Sequence, residues 1–104
     1  VAPTPRFAGY GATKAALVHL TRTMAVEWAP HGVRVNALCP GYAETELTRD
    51  VLGNERRRAA VIAHTPLGRL AEIDEIVAPA LFLLSDEASY VTGAALLVDG
   101  GMAT

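Results

Sequence analysis

Residues 33–41 read VRVNALCPG. The run is short, mostly apolar and rich in β-branched types, which predicts a buried strand over residues 33–38. Cys39-Pro40-Gly41 then stops it, because proline brings no donor to a ladder and Pro-Gly favours a turn. Immediately upstream, residues 8–29 are alanine-rich and free of proline, which predicts a helix. Leu17, Leu20, Met24 and Trp28 recur along it at spacings of three and four and make an apolar stripe, so Met24 and Trp28 are expected in the core. Ala12 and Ala16 form a second edge small enough to let another helix approach. Pro30 and Gly32 end the helix before the strand begins. Residues 1–7 carry two prolines and no periodic pattern, and read as a loop.

Downstream, residues 46–52 and 54–64 read as two short helical pieces separated by Gly53. Residues 65–68 connect them to an amphipathic helix over residues 72–84. Pro79 falls inside that helix, where it removes one backbone bond and costs roughly 3 kcal/mol if the helix stays straight, so a kink is expected there. Residues 85–93 form a polar loop, and residues 94–98 a last short strand closed by Asp99-Gly100-Gly101. Helices alternating with short buried strands argue for a parallel sheet with covering helices. Parallel sheets are buried on both faces, so two strands do not suffice. The expectation is therefore an α/β fold whose remaining strands come from sequence outside these 104 residues or from a partner.

Hydrophobic residues make up 51% and charged residues 19%, a globular rather than disordered composition. The net charge is −2 and no basic stripe runs along the chain, which argues against nucleic acid as a partner. Arg56-Arg57-Arg58 is the one basic run, and Glu55 abuts it. It reads as a solvated face, with the grip on an anionic acyl-carrier substrate as the alternative. A single cysteine, Cys39, excludes an internal disulfide and suggests a reducing, cytoplasmic setting. Cys39 is either a small buried residue at a strand end or a reactive thiol beside the turn. No apolar run approaches bilayer length and no signal peptide is visible, so a membrane is not an expected partner. His19, His31 and His64 lack metal-ligand spacing, and no metal site is expected.

Tyr10-Gly11-Ala12-Thr13-Lys14 carries the chemistry. Positions four apart share one helix face, so a phenol and an ammonium can address the same place. A free tyrosine has a pKa near ~10 and is a poor base at neutral pH, and a nearby cation favours its phenolate. Lys14 could thus tune Tyr10 for proton transfer. The plain alternative is a surface pair on a helix. The turn at residues 39–42 follows at the carboxyl end of the predicted strand, where open α/β sheets place nucleotide ligands. Gly41 has no side chain there and would admit a close backbone approach. Thr45 offers a hydroxyl just beyond, either for a ligand or as the N-cap of the helical piece at residue 46.

Taken together, YGATK at residues 10–14, VRVNALCPG at 33–41, Thr45 and LLVDGG at 96–101 resemble the short-chain dehydrogenase/reductase family. PLGR at residues 66–69 and FLLSDEASYVTG at 82–93 are similar to its pattern as well, so the likeness covers nearly the whole chain. The resemblance implies that residues 1–104 are the C-terminal part of a single NAD(P)-binding Rossmann-like domain, a doubly wound parallel sheet. It implies an oxidoreductase that moves a hydride between NAD or NADP and an alcohol or carbonyl. Tyr10 would be the proton donor or acceptor, and Lys14 would lower its pKa and hydrogen-bond the nicotinamide ribose. Pro40, Gly41 and Tyr42 would line the nicotinamide pocket, with Thr45 on the carboxamide or a phosphate. Residues 43–64 would correspond to a substrate lid, and the substrate would be a small alcohol or ketone or a 3-oxoacyl group. Relatives implied by the resemblance form homodimers or homotetramers.

The family's glycine-rich phosphate loop, its helix-borne asparagine and its catalytic serine would all lie upstream of residue 1. The chain by itself is therefore expected neither to bind a dinucleotide tightly nor to catalyse hydride transfer. A catalytically inactive nucleotide-binding module and an assembly element of the same fold are the competing classes. The retained Tyr10–Lys14 pair speaks against the first, since a binder needs no phenol beside an ammonium.

Overall fold

A computed structural model of the chain describes residues 8–44 and 54–103, with side chains from residue 11 onward. The expected loop over residues 1–7 and the helical piece over 46–52 lie outside the described residues. Five regular elements are described: α1 (Ala8–Trp28), β1 (Ala37–Pro40), α2 (Glu55–Ala63), α3 (Ile73–Leu84) and β2 (Ala95–Val98). The chain divides into two units, one of Val1–Leu38 with Phe82–Leu96 and one of Cys39–Leu81 with Leu97–Thr104.

In the first unit, α1 runs without a break until Pro30, which enters a 3-10 turn over Ala29–His31, and Gly32 closes that turn through its N–H to the Ala29 carbonyl. The stop is the one expected from Pro30 and Gly32. The buried face of α1 is a correction. Thr21 and Ala25 are buried, whereas Leu17, Leu20 and Trp28 of the apolar stripe are exposed, Trp28 by 42%, and Met24 is half-buried. Helical spacing identified which residues share a face but not which face is covered, and Ala12 and Ala16 of the small-residue edge are exposed as well. Ala25 sits at 3.5 Å from the place a Cβ would take at Gly93. The Thr21 hydroxyl is satisfied within the helix by the Leu17 carbonyl at 2.8 Å.

The first strand also differs from expectation. It spans Ala37–Pro40 rather than residues 33–38. Residues 33–36 lie ahead of the strand and are held mostly by side chains, although the Val35 carbonyl already accepts from the Gly93 N–H at 2.7 Å. Asn36 donates from Nδ2 to the Val91 carbonyl at 3.0 Å and accepts at Oδ1 from the Ala94 N–H at 3.0 Å. Arg34 reaches the carbonyls of Leu83, Val91 and Ser85 at 2.9, 3.2 and 3.2 Å. One guanidinium, with donors in a fixed fork, thus satisfies carbonyls at the end of α3 and in the loop that follows.

Pairing then begins. Ala37 donates to the Ala94 carbonyl and Gly41 to the Val98 carbonyl, so both strands advance in the same direction and the pair is parallel. Residues of odd number on β1 face β2. Pro40 has the opposite parity, so its missing N–H takes nothing from this ladder, and proline can be the last residue of the strand rather than the residue that prevents it.

In the second unit, Asn54 caps α2, its side-chain oxygen accepting from the N–H groups of Arg56 at 2.9 Å and Arg57 at 3.3 Å. Thr65 follows, buried, with its hydroxyl donating to the Val61 carbonyl at 2.7 Å. α3 opens with Asp74 and Glu75 in its first turn, where acidic groups complement the helix dipole. It continues through Pro79 to Leu84 as one helix. Among the described residues, the buried apolar ones are all alanine: Ala25, Ala37 and Ala88 in the first unit and Ala43 in the second. Large apolar residues such as Leu81 and Leu84 on α3 are exposed. A chain that is half hydrophobic yet buries mainly methyl groups has apolar surface still to cover, as expected for a parallel strand pair without its neighbours.

Candidate active site

α1 places Tyr10 in its first turn and Lys14 one turn later, so the two positions share a helix face as their spacing required. Lys14 is half-buried. Both belong to the first unit. The turn residues belong to the second: Pro40 and Tyr42 are exposed, and Gly41 between them is half-buried. Thr45 lies outside the described residues, as do residues 46–53 of the expected lid.

The turn at Gly41 is closely built. Its N–H donates to the Val98 carbonyl at 2.9 Å. A Cβ at Gly41 would stand 2.8 Å from the Cα of Asp99 and 3.0 Å from its Cβ. The glycine is thus required by Asp99, so the open space expected beside it is already filled on that side. Next along the chain, the Tyr42 carbonyl accepts from the Ala71 N–H at 3.0 Å, and Ala43 forms a parallel bridge with Ala71. These bonds fix the main chain of the turn, and Tyr42 is 45% exposed.

Asp99 was read as a closing turn residue, and its reach was not visible in the sequence. Its Oδ1 accepts from the Gly101 N–H at 2.9 Å and its Oδ2 from the Ala103 N–H at 3.0 Å. The Gly100 carbonyl accepts from the Leu67 N–H at 3.1 Å. The available signal was an acidic residue followed by two glycines directly after a strand, the composition of a turn that folds back on its own amides.

An open depression of about 220 Å³ in this unit is lined by Gly41, Tyr42, Arg69, Glu75, Asp99 and Gly101, among others. Two of its charged residues pair with each other. Arg69 grips Glu75 with two nitrogens at 2.6 and 2.7 Å. That fork, followed by the Glu72 N–H at 2.9 Å, brings the Glu75 carboxyl down to about 2, and the same hydrogen bond raises the Arg69 guanidinium. Elsewhere in the unit, Arg58 pairs with Glu44 at 3.0 Å. Cys39 is half-buried. His64 holds its ring nitrogen 2.8 Å from the Ala60 carbonyl, an ordinary helix-end contact. Among the described residues, no three of His, Cys, Asp and Glu come together as a metal site, and no helix is long and apolar enough to cross a membrane.

In chain order, the helix that carries Tyr10 and Lys14 is followed by a parallel strand that ends at Pro40. The family model described as enoyl-(acyl carrier protein) reductase matches residues 1–103. The chain belongs to the short-chain dehydrogenase/reductase family. Its fold is the C-terminal portion of the family's Rossmann-like α/β sheet. A galactitol 2-dehydrogenase (L-tagatose-forming) of Cereibacter sphaeroides is 53% identical over 98 residues, covering 93% of this chain and 39% of the relative. A 3beta-hydroxysteroid dehydrogenase 1 of Eggerthella lenta is 43% identical over 102 residues, covering 98% of this chain and 39% of the relative. Among solved structures, a gluconate 5-dehydrogenase of Burkholderia cenocepacia in complex with NADP and tartrate superposes with a TM-score of 0.88. It is 40% identical, over 96% of this chain and 39% of that one. The chain thus spans about two-fifths of the length of the curated relatives it matches.

Proposed function

We propose that the whole protein is an NAD(P)-dependent oxidoreductase that interconverts an alcohol and a carbonyl, and that residues 1–104 are the C-terminal part of its single dinucleotide-binding domain. The observation that carries the reading is the Tyr10–Lys14 pair one turn apart on α1, in a chain whose curated relatives include a galactitol 2-dehydrogenase and a 3beta-hydroxysteroid dehydrogenase.

Exposed Pro40 and Tyr42 at the carboxyl end of a parallel strand fit the edge of a nicotinamide pocket, with Gly41 held rigidly between them. Thr45 joins this set by the family pattern. When bound, the nicotinamide supplies or takes the hydride. In the reducing direction Tyr10 gives its phenolic proton to the carbonyl oxygen of the substrate, and in the oxidising direction its phenolate takes the proton from the alcohol. Lys14 makes that exchange possible near neutral pH: a cation beside the phenol stabilises the phenolate and brings its pKa toward the working range. By the family pattern its ammonium also hydrogen-bonds the nicotinamide ribose. Sugar-derived polyols and ketones are the first substrate class to try, with 3-oxoacyl groups second. The proposal includes assembly into dimers or tetramers, for which exposed apolar residues on α1 and α3 offer surface.

The test is nicotinamide absorbance in the whole protein against a panel of polyols, ketones and 3-oxoacyl thioesters, with NAD(H) and NADP(H), beside Tyr10→Phe and residues 1–104 alone. Turnover by the whole protein, with Tyr10→Phe and the isolated chain both inactive, is the expected result. Dinucleotide binding without turnover on any substrate would overturn the enzymatic reading in favour of a binding module.

A further inference from the structure

Asp99 touches no reacting group in the mechanism above, yet it is the residue against which the Gly41 turn is built. Its Cα, Cβ and carbonyl oxygen lie 2.8, 3.0 and 3.3 Å from the place a Cβ would take at Gly41. Two of these three atoms are main chain, so the space beside Gly41 is closed chiefly by the backbone of Asp99. What fixes Asp99 in that position is its own carboxylate. One oxygen accepts from the Gly101 N–H at 2.9 Å and the other from the Ala103 N–H at 3.0 Å. The Met102 N–H donates to the Asp99 carbonyl at 3.2 Å. Three amides from the four residues after Asp99 thus converge on its side chain and its own carbonyl. The same turn also receives the chain beyond α2, since Leu67 donates to the Gly100 carbonyl at 3.1 Å and Pro66 lies against Gly101.

We propose that Asp99 is a positioning residue for nicotinamide binding: its doubly accepting carboxylate sets the 99–103 turn, and the backbone of that turn fixes Gly41 and the exposed Pro40 and Tyr42 beside it. The inference rests on the dehydrogenase reading for the ligand, and on the geometry within the second unit for the residue. Only a carboxylate suits the place. Asparagine offers one acceptor and turns its amide N–H₂ toward a second N–H donor. Alanine offers neither, and two half-buried amides lose their partner.

In the whole protein, NADH and NADPH dissociation constants are measured by nucleotide fluorescence for wild type, Asp99→Asn and Asp99→Ala, alongside kcat, KM for nucleotide and the thermal unfolding midpoint. The expected result is a graded loss of nucleotide affinity. Asp99→Ala weakens it about tenfold, the scale set by losing one charge-assisted hydrogen bond, and Asp99→Asn falls between it and wild type. KM for nucleotide rises in step, while kcat at saturating nucleotide stays within about twofold. A residue that only supports the fold would lower the unfolding midpoint and the active fraction, and leave the nucleotide dissociation constant of the folded protein where it was. That pattern, or wild-type affinity in both variants, overturns the proposal. Asp99→Asn, which differs by one atom type and keeps one acceptor, carries the test if Asp99→Ala does not fold. If wild type binds neither nucleotide, the dehydrogenase reading falls and takes this proposal with it; wild-type binding with unaffected variants removes the role of Asp99 alone.

Discussion

Gly100→Ala is a perturbation whose cost can be worked from the structure. Gly100 has φ +64°, in the left-handed region. An alanine there costs roughly 1–2 kcal/mol by backbone sterics alone. The new methyl would also stand 2.7 Å from Cγ2 of Thr65. Carbon atoms in contact sit ~3.5–4.0 Å apart, so the methyl intrudes by about 1 Å. Thr65 is not free to turn aside, because it is buried and its hydroxyl is bonded to the Val61 carbonyl at 2.7 Å. Overpacking of this kind costs roughly 1–3 kcal/mol more. Gly68→Ala is the internal control: its φ is +73° and nothing lies within 4 Å of its added methyl, so it carries the backbone cost without the clash. Urea unfolding of the whole protein should place Gly100→Ala below Gly68→Ala by roughly 1–3 kcal/mol. Thr65→Ser removes Cγ2 and keeps the hydroxyl, so the double variant Gly100→Ala/Thr65→Ser should show a favourable coupling of roughly 1 kcal/mol or more. Equal cost for the two alanine variants, or zero coupling with Thr65→Ser, would refute the packing argument.

Two further predictions concern charged groups. Arg34→Lys should destabilise the protein by roughly 2–4 kcal/mol, because an ammonium does not reproduce a fork that reaches three carbonyls; chemical denaturation reads this, and a loss below about 0.5 kcal/mol would mean that water takes over those carbonyls. Glu75 titrates near 2 when folded and near ~4.3 when unfolded, so its contribution is fully present above the unfolded value and is lost as pH falls toward 2. Carboxyl-detected NMR should show that low midpoint, and Glu75→Gln should flatten stability against pH within the window; an ordinary carboxyl midpoint would mean that the Arg69 fork does not form in solution.

The alternation of helix and strand was legible because each element carries its own local signal: alanines without proline in α1, Pro30 and Gly32 at its end, Asn54 ahead of α2. The placement of Tyr10 and Lys14 one turn apart on α1 was legible for the same reason, since four residues on a helix are about one turn. Contacts set by distant residues were not legible. Residues 33–36 have strand composition, but Arg34 and Asn36 find their partners 49 to 58 residues away, and the ladder begins only at Ala37. The apolar periodicity of α1 named a face without saying what covers it, and the covered face proved to be Thr21 and Ala25. Gly41 looked like room for a ligand because nothing in a linear reading brings Asp99 beside it.

The β1–β2 pair has no third strand among the described residues. Among those residues, each strand keeps one side on which no neighbouring strand is hydrogen-bonded. Such a side acts as a template for any extended segment that arrives with the right direction. Upstream strands supplied as a separate polypeptide can dock there and restore the sheet by complementation. A second copy of the same residues can dock there too and begin an aggregate. Complementation depends on the concentration of the added polypeptide and aggregation on a higher power of the concentration of this one, so the ratio of the two polypeptides during expression decides which outcome is reached.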